Sequence, residues 1–421
     1  MKQKLLYILS VIILSTSCVS RQVPKGTKTG ASKYNPASYV LHPQFKVFHE
    51  NDNYSKLYFK LFTKELRFSS ANENRTNQAI LKISYKITPS IKSNNIIDSA
   101  KTSLTIKKTL KQTSIISFFK IKNINLEQFL IEVNLYDFYG NKKSQSYIRV
   151  NKSNDGNEQY YISFIGKKQK PIFTEYFKPT DTLFIKTKNK FVKNMSVIHY
   201  NTNFKIAEKP FNTEKLPPIN LKKDTSWNIT CISQKAKFYS NKAGICIIRA
   251  DTSKVRGFLK VQFKNAYPLI SKSSEMIEAL AYLLTNEELS NLQNSDNKKL
   301  SIDNYWLKIC RSKEKARELI KVWYNRATYS NYYFSSYKKG IKTDRGMIYT
   351  VFGPPDDIKY FDDAEKWIYI NTKTVSKLEF IFVKQANSLS KNDYTLIRNG
   401  KYETNWNKAI KTWNSGNIYK F

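Results

Sequence analysis

The sequence predicts a mixed fold, with two N-terminal β-sandwich-like domains followed by an α+β domain. Three observations carry this. Period-two apolar alternation recurs from about Leu41 to Phe263, an apolar stripe of helical period appears only after Ser273, and strand-like runs return beyond residue 346. The divisions that follow are 1–17 for an export signal, 18–40 for a flexible tether, 41–152 for the first β domain, 153–266 for the second and 267–421 for the α+β domain.

In the first β domain, Leu81, Ile83, Tyr85 and Ile87 alternate with Lys82, Ser84 and Lys86, and Phe129, Ile131, Val133 and Leu135 form a second such run. A Gly140-Asn141 turn leads to a strand over 147–150. The polar patch 151–159 marks a boundary. Strands in the second domain are expected over 160–165, 182–187, 196–200, 227–231, 244–250 and 257–263. The stretch 201–223, with Pro210, Pro217 and Pro218, reads as loop.

In the third domain Met276, Ile277, Leu280, Leu283 and Leu284 share a helical face. The spacing of Ala316, Leu319, Ile320, Trp323, Tyr324 and Ala327 predicts a second helix, and Trp406, Ala409, Ile410 and Trp413 a last one that Gly416 ends. Between these helices, strands are expected over 347–352, 367–370 and 378–383.

The N-terminus carries Lys2 and Lys4, an almost unbroken apolar run over 5–14, then Ser15-Thr16-Ser17-Cys18. This resembles a bacterial lipoprotein signal, with Ser15 where the usual box prefers Leu. The resemblance implies cleavage before Cys18 and lipid attachment to it. The apolar run is shorter than the ~20 residues a spanning helix needs, whereas two or three acyl chains on one cysteine hold stably. Residues 19–37 are rich in Ser, Lys, Gly, Thr and Pro, as a tether would be. Surface-exported lipoproteins of the Bacteroidota resemble one another in acidic residues just after the cysteine. Residues 19–25 have none, which points to the periplasmic face of the outer membrane.

Lys and Arg number 71 against 33 Asp and Glu, a formal net charge of +38. Nucleic acid is nevertheless not the expected partner. Only 11 of the basic residues are Arg, the bidentate reader of bases and phosphates, and the lysines are scattered. Two explanations of the charge stand together: AT-rich coding, and attraction to anionic lipid or peptidoglycan. With histidines limited to His42, His49 and His199, neither a His-rich metal site nor a catalytic triad is expected, and no cofactor. Cys231 and Cys246 lie on strand-like runs and could form a cross-strand disulfide if register allowed; otherwise they are small apolar core residues.

The most specific motif begins at Tyr337-Lys338-Lys339-Gly340-Ile341-Lys342-Thr343-Asp344-Arg345-Gly346. It continues through Met347 to Gly353-Pro354-Pro355-Asp356, with Trp367-Ile368-Tyr369 beyond. It resembles the signature of the GWxTD domain family, lipoproteins chiefly of the Bacteroidota, with Ile341 where that family has Trp. The resemblance implies a cell-envelope lipoprotein and assigns no reaction.

Read from the residues, Gly340, Gly346 and Gly353 serve turns, Thr343 or Asp344 closes the first turn, Arg345 reaches Asp356 or Asp357, Pro354 and Pro355 stiffen the exit, and Trp367 is core. That describes a scaffold. The alternative is a polar groove lined by Asp344, Arg345, Asp356 and Asp357, whose carboxylates suit acid and base work. The expected function is accordingly a non-enzymatic accessory, assembly or binding subunit of the envelope with a protein partner. The alternative function is a glycan- or peptide-directed hydrolase.

Overall fold

A computed structural model describes residues 31–421 apart from 70–76, 110–111, 154–155, 202, 215–218, 255, 265 and 386–388. Cys18, the export signal, Pro217 and Pro218 lie outside the described residues. The first unit holds β1 (Gln44–His49), β2 (Tyr54–Phe62), β3 (Gln78–Thr88), β4 (Asp98–Lys107), β5 (Ser114–Lys122), β6 (Gln128–Asp137) and β7 (Lys142–Asn151). Two antiparallel sheets, ordered β1-β2-β5 and β4-β3-β6-β7, face each other. The alternating residues Leu81, Ile83, Ile131 and Val133 meet Val47, Leu57, Phe59 and Leu61 in a shared core, a sandwich as the alternation predicts. The smaller sheet is covered on its second face as well along β1 and β2, whereas β5 leaves Phe118 exposed. Phe48 and Tyr58 point away from the sandwich and pack on Ile162 and Phe164 of the next unit.

That unit comprises β8 (Tyr161–Ile165), β9 (Lys170–Pro171), β10 (Leu183–Thr187), β11 (Asn194–Tyr200), β12 (Lys223–Ile232), β13 (Lys235–Phe238), β14 (Gly244–Arg249) and β15 (Phe258–Gln262). Each expected strand is present, joined by the short β9 and β13. The strands form one antiparallel sheet, ordered β15-β14-β11-β12-β13-β10-β8-β9, rather than two opposed sheets. The sheet curls on itself. Tyr161 on β8 stacks on Phe258 of β15 with ring centroids 5.5 Å apart, although these strands stand near opposite ends of the order. Register does not allow the disulfide, and both cysteines are free and buried, the small apolar core residues of the other reading. Strand β11 lies between their strands. Cys246 pairs with His199, whereas the amide of Cys231 bonds the carbonyl of Lys193 at the other end of β11, ~20 Å away at ~3.3 Å per residue.

The third unit runs α1 (Ser273–Leu280), α2 (Asn286–Asn294), α3 (Lys298–Cys310), α4 (Lys313–Phe334), α5 (Asp344–Phe352), β16 (Asp357–Tyr360), β17 (Ala364–Asn371), β18 (Ser376–Lys384), β19 (Tyr394–Leu396) and α6 (Glu403–Asn414). Strands β16-β17-β18-β19 form an antiparallel sheet in that order, and the helices close over it around Trp306, Trp323, Trp367 and Trp413. The strand expected over 347–352 is a helix instead. Every residue of α5 is buried, so the segment shows neither a period of two nor one of 3.6, and a short apolar run of that kind fits either element.

The expected tether is shorter than the sequence implied. Residues 31–34 form a turn, and Tyr34 is buried in the core of the third unit, its ring 4.9 Å from Phe334 and 5.5 Å from Trp367. Its hydroxyl donates to Glu365 at 3.0 Å, and its carbonyl accepts from the Tyr349 hydroxyl at 2.7 Å. The N-terminal segment thus docks on the unit furthest from it in sequence. Tyr34→Ala should lower stability by about 3–5 kcal/mol, the cost of emptying a large aromatic site, and expose the segment to protease. An unchanged unfolding curve with unchanged cleavage would contradict the docking.

Candidate functional site

The sequence motif builds the entry to α5. Its first turn is pinned from all sides: the Gly340 amide donates to the Tyr267 hydroxyl at 3.1 Å, the Ile341 amide to Asn331 Oδ1 at 3.0 Å, and the Tyr282 hydroxyl donates to the Ile341 carbonyl at 2.7 Å. Lys339 and Lys342 each reach Glu278 of α1 at 2.8 Å. Ile341 is buried, so the position keeps an apolar role. Thr343 is the N-cap. Its Oγ1 accepts from the Gly346 amide at 3.0 Å and donates to the Gly340 carbonyl at 2.7 Å.

The glycines answer to space rather than to turn freedom at this end. A Cβ on Gly346 would stand 1.9 Å from the Gly340 carbonyl oxygen, and one on Gly340 would stand 2.0 Å from that of Ser330 on α4. At the far end Gly353 has a φ of +87° and ends the helix. Pro354 and Pro355 follow, Pro355 buried, and direct the chain into β16.

The charged residues of the motif do not share a groove. Asp344 accepts the Leu396 amide of β19 at 2.7 Å and both outer nitrogens of Arg398, at 2.6 and 3.1 Å, in a pair whose partners are each 7% exposed. Asp356 sits beyond the other end of α5, ~13 Å away by the rise per residue, where its exposed carboxylate accepts the Ile370 amide at 2.7 Å. Asp357 accepts the amide of Ile358.

Arg345 reaches neither Asp356 nor Asp357. It turns to Glu365 of β17 at 3.4 Å and to Asn392, whose carbonyl lies at 2.9 Å and side-chain oxygen at 2.6 Å. The guanidinium lies over the Tyr394 ring, 4.1 Å from its centroid, and near Phe334 at 5.1 Å. Glu365 also receives the Trp367 indole at 3.1 Å, and Trp367 is core as expected. Burial works to raise the pKa of Glu365, but Arg345, Lys33 and the Trp367 and Tyr34 donors hold it below the usual carboxylate range. A depressed carboxylate stabilises the fold above its ordinary pKa of 4.5, and that contribution is lost as pH falls through the folded value.

The sequence reading missed Glu365, Asn392, Arg398 and Tyr34. Glu365 had a signal: it falls on the same side of its strand as Trp367 and Tyr369, an acid at an inward position. The others are single residues without a pattern.

Of the motif's polar residues, Arg345 lines a cleft of about 1600 Å³ at which all three units meet. Tyr34, Tyr360, Glu365 and Tyr394 line the same wall, and the opposite wall comes from the sandwich and the curled sheet. His42 also lines the cleft, in contact with the Asn35 carbonyl at 3.1 Å and Glu65 at 3.4 Å, while the other two histidines do not line it. His199 contacts Asp224 at 2.9 Å and the Ala243 carbonyl at 3.0 Å, and His49 contacts Ser55 at 2.7 Å and the Asn151 carbonyl at 2.9 Å. Cys246, opposite His199, has its thiol pushed up to about 12 by burial, the wrong direction for a nucleophile. Among the described residues no group of three or more His, Cys, Asp or Glu is arranged to hold a metal ion.

Residues 244–415 match the GWxTD domain. The match begins at β14, ahead of the boundary expected at 267. Ile245, Ile247, Leu259 and Val261 of β14 and β15 pack against Tyr337 of the motif segment, so the two strands at the start of the match touch the third unit. No curated protein is similar to the chain. Among solved structures, red sea bream transglutaminase is similar at 7% identity over 53% of this chain and 31% of that one, with a TM-score of 0.19. The chain therefore spans less than a third of that enzyme's length, and so distant a likeness carries no argument about fold or activity.

Asp344→Ala should destabilise the protein by about 3–5 kcal/mol, because it leaves Arg398 buried without its counter-ion. Gly346→Ala should cost at least the ~1–3 kcal/mol of ordinary overpacking, since backbone must move to admit the methyl. Thermal melting reads both. An Asp344→Asn protein that melts like wild type, localises correctly and yet fails to complement a deletion would contradict the structural role.

Proposed function

We propose that the chain is a lipid-anchored cell-envelope protein on the periplasmic face of the outer membrane, acting as a non-enzymatic accessory, assembly or binding subunit. The observation that supports this reading best is where the motif's polar groups point. Asp344 and Asp356 accept backbone amides at opposite ends of α5, and Arg345 faces a buried carboxylate, so the motif residues hold elements together. The anchor rests on the resemblance of residues 1–18 to a lipoprotein signal, with Cys18 as the acylated residue. Among the described residues no helix is long and apolar enough to cross a membrane, so attachment falls to that lipid. Tyr34 packs within the third unit, so about fifteen residues would separate that unit from a lipid on Cys18. The partners that fit are an envelope protein and, through the cationic surface, anionic lipid or peptidoglycan.

Cys18→Ser should abolish acylation and leave the protein uncleaved or released from the outer-membrane fraction, as metabolic labelling with a fatty acid and fractionation will read. External protease on intact cells should spare the wild-type body. Full retention of the variant in the outer membrane after signal removal would overturn the anchor, and rapid digestion on intact cells would overturn the orientation.

A further inference from the structure

The cleft between the three units is lined by ten Lys and Arg side chains against five Asp and Glu. Three of those cations, Lys46, Lys384 and Lys391, fall where β1, the 173–176 segment, β18 and the 389–392 segment converge, with Glu158 and Glu175 as the neighbouring acids. Lys46 of β1 lines the cleft there, yet the residue is 3% exposed. Among the described residues no carboxylate lies within ion-pair distance of its ammonium, which instead stands 5.3 Å from the centre of the Phe258 ring.

Its surroundings crowd it with like charge. Burial first, then Lys391, push its pKa down to about 8, and Glu175 and Glu158 offset this only in part. Glu175 accepts from Ser390 at 2.6 Å, and Glu158 stands 3.9 Å from Lys391. Lys260, also buried beside Lys46, donates to the Thr174 carbonyl at 3.0 Å, and burial first and Lys46 second hold its pKa well below the usual lysine range. Lys384 shares the cleft, and its pKa is likewise lowered by burial first and by Lys391 second. A desolvated cation without a counter-ion is costly in an unliganded fold and favourable once an anion arrives.

We propose that the junction cleft binds a small multivalent anion, bearing carboxylate or phosphoryl groups, through Lys46, Lys384 and Lys391. The inference rests on the reading of the chain as a binding protein and is independent of the lipid anchor. Ser390 and Asn392 border the same place, and Asn392 is the residue that Arg345 holds, so the GWxTD scaffold supports one wall of the site. Carboxylate chemistry would match the stem peptides of an envelope polymer and phosphoryl chemistry a lipid headgroup.

The test is calorimetric titration of the full chain in detergent with citrate and with inorganic pyrophosphate, at fixed ionic strength. Saturable binding of at least one is expected; preference for citrate assigns the carboxylate source and preference for pyrophosphate the phosphoryl one. Lys46→Met should weaken that binding by about tenfold or more, Lys46→Arg should retain it, and Lys237→Met, on the exposed part of β13, should leave it unchanged. Lys46→Met should also raise the melting temperature, since it removes an unpaired buried charge. If that variant does not fold, Lys391→Ala carries the same expectation from a partly exposed position. No saturable binding of either anion, or equal weakening by Lys237→Met, would overturn the proposal.

Discussion

One buried guanidinium constrains the third unit. Arg345 is 2% exposed on a helix whose every residue is buried, so its charge must be answered within the protein. Glu365 answers it from β17, Asn392 from the loop before β19, and the rings of Tyr394 and Phe334 flank it. Each partner carries a further element. The Asn392 amide donates to the carbonyls of Tyr333 at 3.0 Å and Ser335 at 2.8 Å, which tethers the end of α4, and Glu365 receives Tyr34 from the N-terminal segment. Helix α5, the sheet, α4 and the chain's beginning therefore meet through a single charge, and shifting it would require all four to shift.

The close approach of α5 to α4 follows from the same economy of space. Ser330 donates to the Gly346 carbonyl at 3.1 Å and contacts Thr350 Oγ1 at 2.9 Å, contacts that two side-chain-free positions permit. The helix is short and buried all round, so its stability comes from packing, and its N-cap Thr343 fixes where it starts. This accounts for the density of Gly, Thr, Asp and Arg in the motif by packing and hydrogen bonding. The residues are those that let a polar helix entry be buried, with Thr343 capping the Gly346 amide and Asp344 and Arg345 paired to Arg398 and Glu365.

How far the sequence revealed this depended on whether an element has an outside. The strands β3 and β6, with one wet or half-wet face, and α4 and α6, with an exposed flank, announced their periods. Helix α5 did not, because a segment buried on all sides carries no pattern. Helix α2 was hidden for the opposite reason, being mostly polar with one buried residue, and α3 because its apolar residues fall on wet and buried faces alike, Leu300 and Leu307 among the exposed ones. Of the site, Thr343, Asp344, Arg345 and the glycines were legible as a motif, but their partners were not. Arg398, Asn392 and Tyr34 are brought in by tertiary contacts from 34 to 398 in the numbering, and Lys46 is one lysine among sixty until the three units enclose it.

That Arg345 is paired for structure is tested by a double-mutant cycle on Arg345 and Glu365, read by equilibrium unfolding. Arg345→Leu alone should cost about 3–5 kcal/mol, because it strands a buried carboxylate, whereas Arg345→Leu with Glu365→Leu should recover a large part of that loss. Additive losses, with the double variant the least stable of the set, would contradict it.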